Sequence, residues 1–218
     1  NHCVVHTEGK EARKFDKVLV SIGRRPVSEQ LGLENIKINP SKQGFISVDA
    51  HYKTKVDGVY AIGDVIDTPG LAHTASAEAI HAVEVIAGKS PKLIDYEANP
   101  SAIYSHPELA SIGKTEAFLK QNKIPYKVAK FPFAPLAKAK IEGCTEGFIK
   151  ILSEPRYGEV LGVHIVGAKA TELIAEFSLG KILETTIDEI AHTIHPHPTI
   201  SETVMEAAHT AIGGAIHM

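Results

Sequence analysis

Residues 147–177 read GFIKILSEPRYGEVLGVHIVGAKATELIAEF. Gly147 to Leu152 is a strand, Pro155-Arg156-Tyr157-Gly158 supplies a turn, and Val160 to Val166 is a second strand. A helix follows at once, with Leu173, Ile174 and Phe177 on one side. Upstream, Tyr126 to Ala129, Ser111-Ile112-Gly113 and Ala102-Ile103-Tyr104 are further strands, interrupted by a short helix from Thr115 to Gln121. Downstream, a last helix carries Val204, Met205, Ala208 and Ile212 at helical spacing. Strands first and helices last predict an α+β layer, one antiparallel sheet with helices on one face. His164, on the alternating strand, reads as a hydrogen-bonded core histidine.

Pro91 to Pro100 reads as a linker, and the pattern ahead of it is different. A helix is expected from Leu71 to Ala87, with Ala72, Ala75, Ala79, Val83 and Ile86 as its apolar face and Gly88 as its stop. Before it, Asp57-Gly58 makes a turn into the apolar run Val59 to Ile62, as in a strand buried on both faces. That run ends at Gly63-Asp64. A carboxylate at such a strand end sits where α/β folds bind ligands, and it can accept hydrogen bonds from sugar-like hydroxyls. Capping the next segment is its other use. Phe45 to Val48 is a further expected strand. Residues 1–22 read as a hairpin, Cys3-Val4-Val5 against Phe15 to Ile22, with Glu8-Gly9-Lys10 as the turn. The run into Gly23 is either a buried strand of an open α/β sheet or an edge strand whose basic end, Arg24-Arg25, is solvated.

The 218 residues have room for one or two domains with a core, and no repeat or low-complexity segment divides them. The 23 basic and 26 acidic side chains are interspersed, so no basic stripe implies nucleic acid as a partner. Apolar runs fall far short of the roughly 20 residues of a membrane helix, so no membrane partner is expected. The two cysteines, Cys3 and Cys144, have no framework spacing and point to a reducing compartment. The chain starts on Asn and enters a strand at once, as a C-terminal piece of a longer protein would.

The chemistry concentrates in His195-Pro196-His197-Pro198-Thr199-Ile200-Ser201-Glu202. Pro198 fixes φ and removes a donor, so His197 is held extended outside any helix. Glu202, five positions on and across a turn, can reach back to the imidazole, one way to build a general base near neutral pH. Thr199-x-x-Glu202 is also a capping box, and the two uses are compatible. His192, His195 and His197 lack a Cys or carboxylate at zinc-site spacing, so no metal is expected.

Together, VLVSIGRRP (18–26), VYAIGDV (59–65), GLAHTASAEA (70–79), HPELASIG (106–113), LGVHIVG (161–167), ATELIAE (170–176) and HPHPTISE (195–202) resemble the flavin- and pyridine-nucleotide-dependent disulfide oxidoreductases. The resemblance is to the C-terminal half of their dihydrolipoyl dehydrogenase branch and spans nearly the whole chain. It implies an α/β tail of the FAD- and NAD-binding domains plus an α+β dimerisation (interface) domain. By the resemblance, residues 1–27 end the NAD-binding domain, 28–95 belong to the FAD-binding and central domains, and 96–218 form the dimerisation domain. It implies that Gly63 and Asp64 meet the ribityl chain of FAD. Leu71, Ala72, His73 and the helix start behind them would face the flavin's N1–O2 edge, where a helix N-terminus stabilises negative charge by about 0.3–1 kcal/mol. His197 would be the general base that deprotonates dihydrolipoamide, and Glu202 the carboxylate that orients it, with electrons passing by way of a disulfide and FAD to NAD+. Implied partners are a second copy of the chain, into whose flavin site His197 reaches, and the lipoyl domains and acyltransferase core of a 2-oxoacid dehydrogenase complex. The implied compartment is the cytoplasm or the mitochondrial matrix.

The match departs from the family at Ala79, where Gly is usual, and at Pro196, where Ala is common. The doubled HPHPT suits this branch better than the single His-Pro-Thr of glutathione reductases. The ending Ala215-Ile216-His217-Met218 lacks the vicinal cysteines of mercuric reductases. The chain contains neither a GxGxxG fingerprint nor a redox-active cysteine pair, so by itself it is expected to be inactive. An inactive dimerisation module, or the same part of a glutathione-reductase-like enzyme, are the other readings.

Overall fold

The computed structural model describes residues 2–217 and divides into two compact units, one running to Pro91 and the other from Lys92. In the first unit, β1 (Cys3–Val5) pairs antiparallel with β2 (Arg13–Phe15), Cys3 opposite Phe15. The expected hairpin is there, but its second strand lies earlier than Phe15 to Ile22. Residues 17–22 join no ladder, and Leu19 and Ile22 are 90% and 94% exposed. A strand buried on both faces needs neighbours on both edges, and among the described residues none pairs with this one.

The other two strands expected in this unit are extended rather than laddered. Phe45 to Val48 joins no ladder: Ile46 N bonds Val65 O at 2.8 Å, and the Phe45 carbonyl accepts from Ser41 N at 2.8 Å in a local turn. Around Val59 to Ile62 the pairing shrinks to one bridge, Lys53 with Tyr60, and only Ala61 of the run is buried. Gly63–Val65 then forms one turn of 3-10 helix.

Helix α1 (Ala72–Ile86) forms where the alanine-rich periodicity places it. Its end is a Schellman closure: Gly88 N bonds Val85 O at 2.9 Å and Lys89 N bonds Glu84 O at 2.9 Å, with Gly88 at φ 77. Its buried face is not the expected one. Thr74, Glu78, His81 and Ala82 are buried, whereas Ala72, Val83 and Ile86 are exposed. Polar side chains can take the inner face because they find partners there. His81 Nε2 lies 3.0 Å from His51 Nδ1, and Tyr52 meets the His81 ring edge-on.

The second unit is built on five antiparallel strands in the order β3-β4-β7-β6-β5. They are β3 (Ser101–Ile103), β4 (Leu109–Gly113), β5 (Lys127–Pro132), β6 (Gly147–Ser153) and β7 (Val160–Gly167). Directly paired residues share a face, so the register sorts the side chains into rows. Ala102, Ala110, Ile165, Ile149 and Phe131 make one inner row, and Ile112, Val163, Ile151 and Ala129 the next. At Gly113 and Gly162 the backbones approach so closely that a Cβ would overlap the carbonyls of Leu161 and Lys114.

Helices α4 (Ala170–Ile182), α5 (Ile187–His192) and α6 (Glu202–Ile212) join those inner rows in one core through Leu173, Ile174, Phe177, Ile190, Val204 and Ala208. The predicted layer of one antiparallel sheet with helices against it is therefore present. Helix α2 (Glu116–Gln121) packs on the other side of the sheet, where Leu119 meets Leu152 and Leu161. His164 lies in that outer row and is half-buried. Its Nε2 bonds the Lys114 carbonyl at 3.3 Å, so it is satisfied but not in the core.

Two short helices were not expected, α3 (Ala137–Glu142) and α5. The start of α5 carries a complete capping box, Thr186 with Glu189. Another cap, at α2, is the Thr115 hydroxyl, which accepts from Phe118 N at 3.1 Å. Thr115→Ala is expected to lower the stability of α2 by about 1 kcal/mol, measured as faster amide exchange confined to that helix. Among the described residues no helix is long and apolar enough to cross a membrane.

Candidate functional site

The turn from His195 to Ser201 runs between α5 and α6, and His197-Pro198 is a cis peptide. His197 Nδ1 lies 2.9 Å from Glu202 Oε1. The second oxygen, Oε2, accepts the Thr199 N–H at 2.9 Å. The Thr199 hydroxyl donates back to the Pro196 carbonyl at 2.7 Å. The expected capping box is thus half made. Glu202 takes the Thr199 amide, but the threonine hydroxyl closes the turn instead of capping, and Ser201, the residue before α6, provides no side-chain cap. Glu202 serves the histidine and the turn together.

Burial differs sharply across the pair: the His197 side chain is 67% exposed and that of Glu202 only 8%. An ionised carboxylate can only accept, so His197 Nδ1 carries the proton and Nε2, which makes no bond to the described residues, is left as an acceptor. Burial pushes the Glu202 carboxyl up. The Thr199 amide, the His197 hydrogen bond and charge, and the charge of His217 overcome that and hold it below the usual range. With a folded-state value below 4.5, this stabilisation is fully present above 4.5 and lost as pH falls through the lower value. Acid unfolding of Glu202→Gln should therefore show a smaller loss of stability below pH 4.5 than the wild type.

Two neighbouring carboxylates escaped the sequence reading. Glu206, one turn along α6, is fully buried, accepts Ile216 N at 2.7 Å and holds His217 Nδ1 at 2.6 Å. Glu176, on α4, lies 3.1 Å from His195 Nε2. Glutamates at 202 and 206 amid apolar helical positions were the available signal for the first. Nothing local signals the second, because Glu176 and His195 are far apart in sequence.

In the first unit, the structure brings Gly63, Asp64 and the start of α1 together. The buried Glu78 carboxylate accepts Gly63 N at 2.7 Å, fixing the turn that presents Asp64. Asp64 is ion-paired with Arg24, whose second nitrogen bonds the Gly70 carbonyl. Arg24, which one of the two readings of this run left at a solvated basic end, ties the Asp64 turn to the approach to α1. Leu71 precedes α1 in extended conformation without a side-chain cap, and the first turn holds no acidic residue, so its positive end is uncompensated. A cavity of about 220 Å³ lies here, lined by Arg24, Phe45, Asp64, Thr68 and Gly70. Among the described residues the buried Thr68 hydroxyl on its wall finds no hydrogen-bond partner. An orphan hydroxyl, a carboxylate and an uncapped helix start suit a polyhydroxylated, electron-rich ligand. Among the described residues no three His, Cys, Asp or Glu side chains converge as a metal site would require.

A family profile described as "Pyridine nucleotide-disulphide oxidoreductase, dimerisation domain" matches residues 99–208. A second, "Pyridine nucleotide-disulphide oxidoreductase", matches residues 1–79. The chain belongs to this family. Its relatives include the mitochondrial dihydrolipoyl dehydrogenase of Caenorhabditis elegans, 46% identical over 91% of this chain and 40% of the relative. A dihydrolipoyl dehydrogenase of Bacillus subtilis is 47% identical over 93% of this chain and 42% of the relative. Among solved structures, LpdA from Mycobacterium tuberculosis matches with a TM-score of 0.87 at 26% identity, over 94% of this chain and 45% of that one. RclA, the HOCl-induced flavoprotein disulfide reductase of Escherichia coli, shares the fold with a TM-score of 0.88 at 21% identity, covering 95% and 48%. The chain thus spans less than half the length of the relatives it matches.

Proposed function

We propose that this chain is the C-terminal part of a dihydrolipoyl dehydrogenase that oxidises dihydrolipoamide with NAD+. The single observation that carries the reading is the His197–Glu202 pair. It is an exposed imidazole whose Nε2 makes no bond to the described residues, oriented by a buried carboxylate at 2.9 Å, in a domain whose named relatives are dihydrolipoyl dehydrogenases. His197 Nε2 accepts the proton of a substrate thiol. A thiol of pKa ~8.5 is mostly protonated at neutral pH, and its thiolate is the nucleophile. Glu202 fixes the ring and stabilises the imidazolium that results, and Thr199 holds Glu202 in place.

FAD, when bound, supplies the electron acceptor that links the dithiol to NAD+. For that group Asp64 would take ribityl hydroxyls, with Gly63 shaping its turn, while Leu71, Ala72 and His73 would set the helix start against the ring. Arg24 would then give up Asp64 or share it. Cys3 and Cys144 are both free thiols, so the disulfide that receives the electrons comes from outside this chain, which alone is inactive. The domain limits at residues 27 and 95, the homodimer, and docking on lipoyl domains of a 2-oxoacid complex in cytoplasm or matrix belong to the same reading. Turnover of the complete protein tests it. Activity is expected with dihydrolipoamide and NAD+, and activity only with glutathione disulfide and NADPH would contradict it.

A further inference from the structure

The turn holds a second histidine whose surroundings are the opposite of those of His197. The His195 side chain is only 4% exposed. Its Nδ1 lies 2.9 Å from the Thr193 carbonyl, and its Nε2 lies 3.1 and 3.4 Å from the two oxygens of Glu176. A carbonyl can only accept, and so can an ionised carboxylate, so both ring nitrogens must donate. A ring that donates from both nitrogens is a cation. We propose that His195 is a positioning residue, an imidazolium that latches the catalytic turn to Glu176 of α4 while His197, two residues on, keeps a nitrogen free for the substrate proton. The proposal rests on the function proposed above for its catalytic part alone; the protonation state stands on the geometry of this chain.

The charged groups acting on His195 are Glu176 from α4 and Glu202 from α6. The Glu176 hydrogen bond raises its affinity for a proton, against the opposing effect of burial. A raised folded-state value means that the latch is fully formed below the ordinary 6.5 and is lost as pH rises through the higher value.

Ring-nitrogen NMR of the 218-residue chain tests the protonation directly. His195 is expected to stay doubly protonated above pH 6.5. Glu176→Gln should lower its midpoint by about one unit, a tenfold loss of proton affinity, and Glu176→Asp should restore most of it. Titration of wild-type His195 at or below 6.5, or no shift in Glu176→Gln, overturns the proposal. In the complete enzyme, Glu176→Gln should lower kcat roughly 10- to 100-fold with KM little changed, and the loss in Glu176→Asp should be smaller. Wild-type kcat in Glu176→Gln, beside a slow His197→Gln, overturns the positioning role. Full activity in His197→Gln would overturn the functional reading instead, and the NMR result then decides the protonation state alone.

Discussion

His197→Gln in the complete enzyme is expected to slow dihydrolipoamide oxidation by roughly 10²-fold or more. Glutamine keeps the volume and a polar end but cannot take a proton at neutral pH. The effect should be large because no other group shares the task in this turn. His195, the other histidine of the turn, has both nitrogens engaged. It should also fall on kcat rather than on substrate binding, since an exposed ring contributes little area to a binding surface. Glu202→Gln should produce a milder loss. It keeps a Thr199 acceptor but removes the charge that stabilises the imidazolium.

Phe131→Ala is expected to destabilise the second unit by about 3–5 kcal/mol. The ring is fully buried at the β5 end of the inner row, opposite Ile149 on β6 and under α6. Neighbouring strands tied by a continuous ladder cannot collapse into the space it leaves, so the cavity cost adds to the lost transfer energy. Amide exchange in β5 and β6 should accelerate by roughly 10²-fold or more. Because α6 packs on those strands, the same variant should loosen the Glu202 end of the site.

The second unit was legible because each of its strands has its partners within the chain. The alternation around Pro155–Gly158 became the β6–β7 pair, and the strands-then-helices order became the layer. The first unit was not, and Leu19 and Ile22 show why. Their apolar run has the composition of a buried strand, but burial depends on neighbours that the described residues do not supply. The α1 error has the same origin. Periodicity found Ala72, Val83 and Ile86, whereas the inner face went to Thr74, Glu78 and His81, the last two partnered by Gly63 and His51.

At the site, the His197–Glu202 pair was legible because a proline-stiffened turn limits where five residues can go. Its capping-box alternative proved half true, and the full box sits at Thr186 and Glu189, where it had not been sought. The Glu176 contact depends on how α4 lies beneath the turn, and the Arg24–Asp64 pair depends on a loop crossing 40 positions. Neither leaves a local signature.

The central claim is that this chain supplies the base. The most direct measurement is the rate of dihydrolipoamide oxidation against pH in the complete enzyme, wild type beside His197→Gln. The account predicts a wild-type rate that falls on the acid side as the base becomes protonated, and a slow variant from which that acid limb has vanished. A variant that keeps both the rate and the acid limb would contradict it.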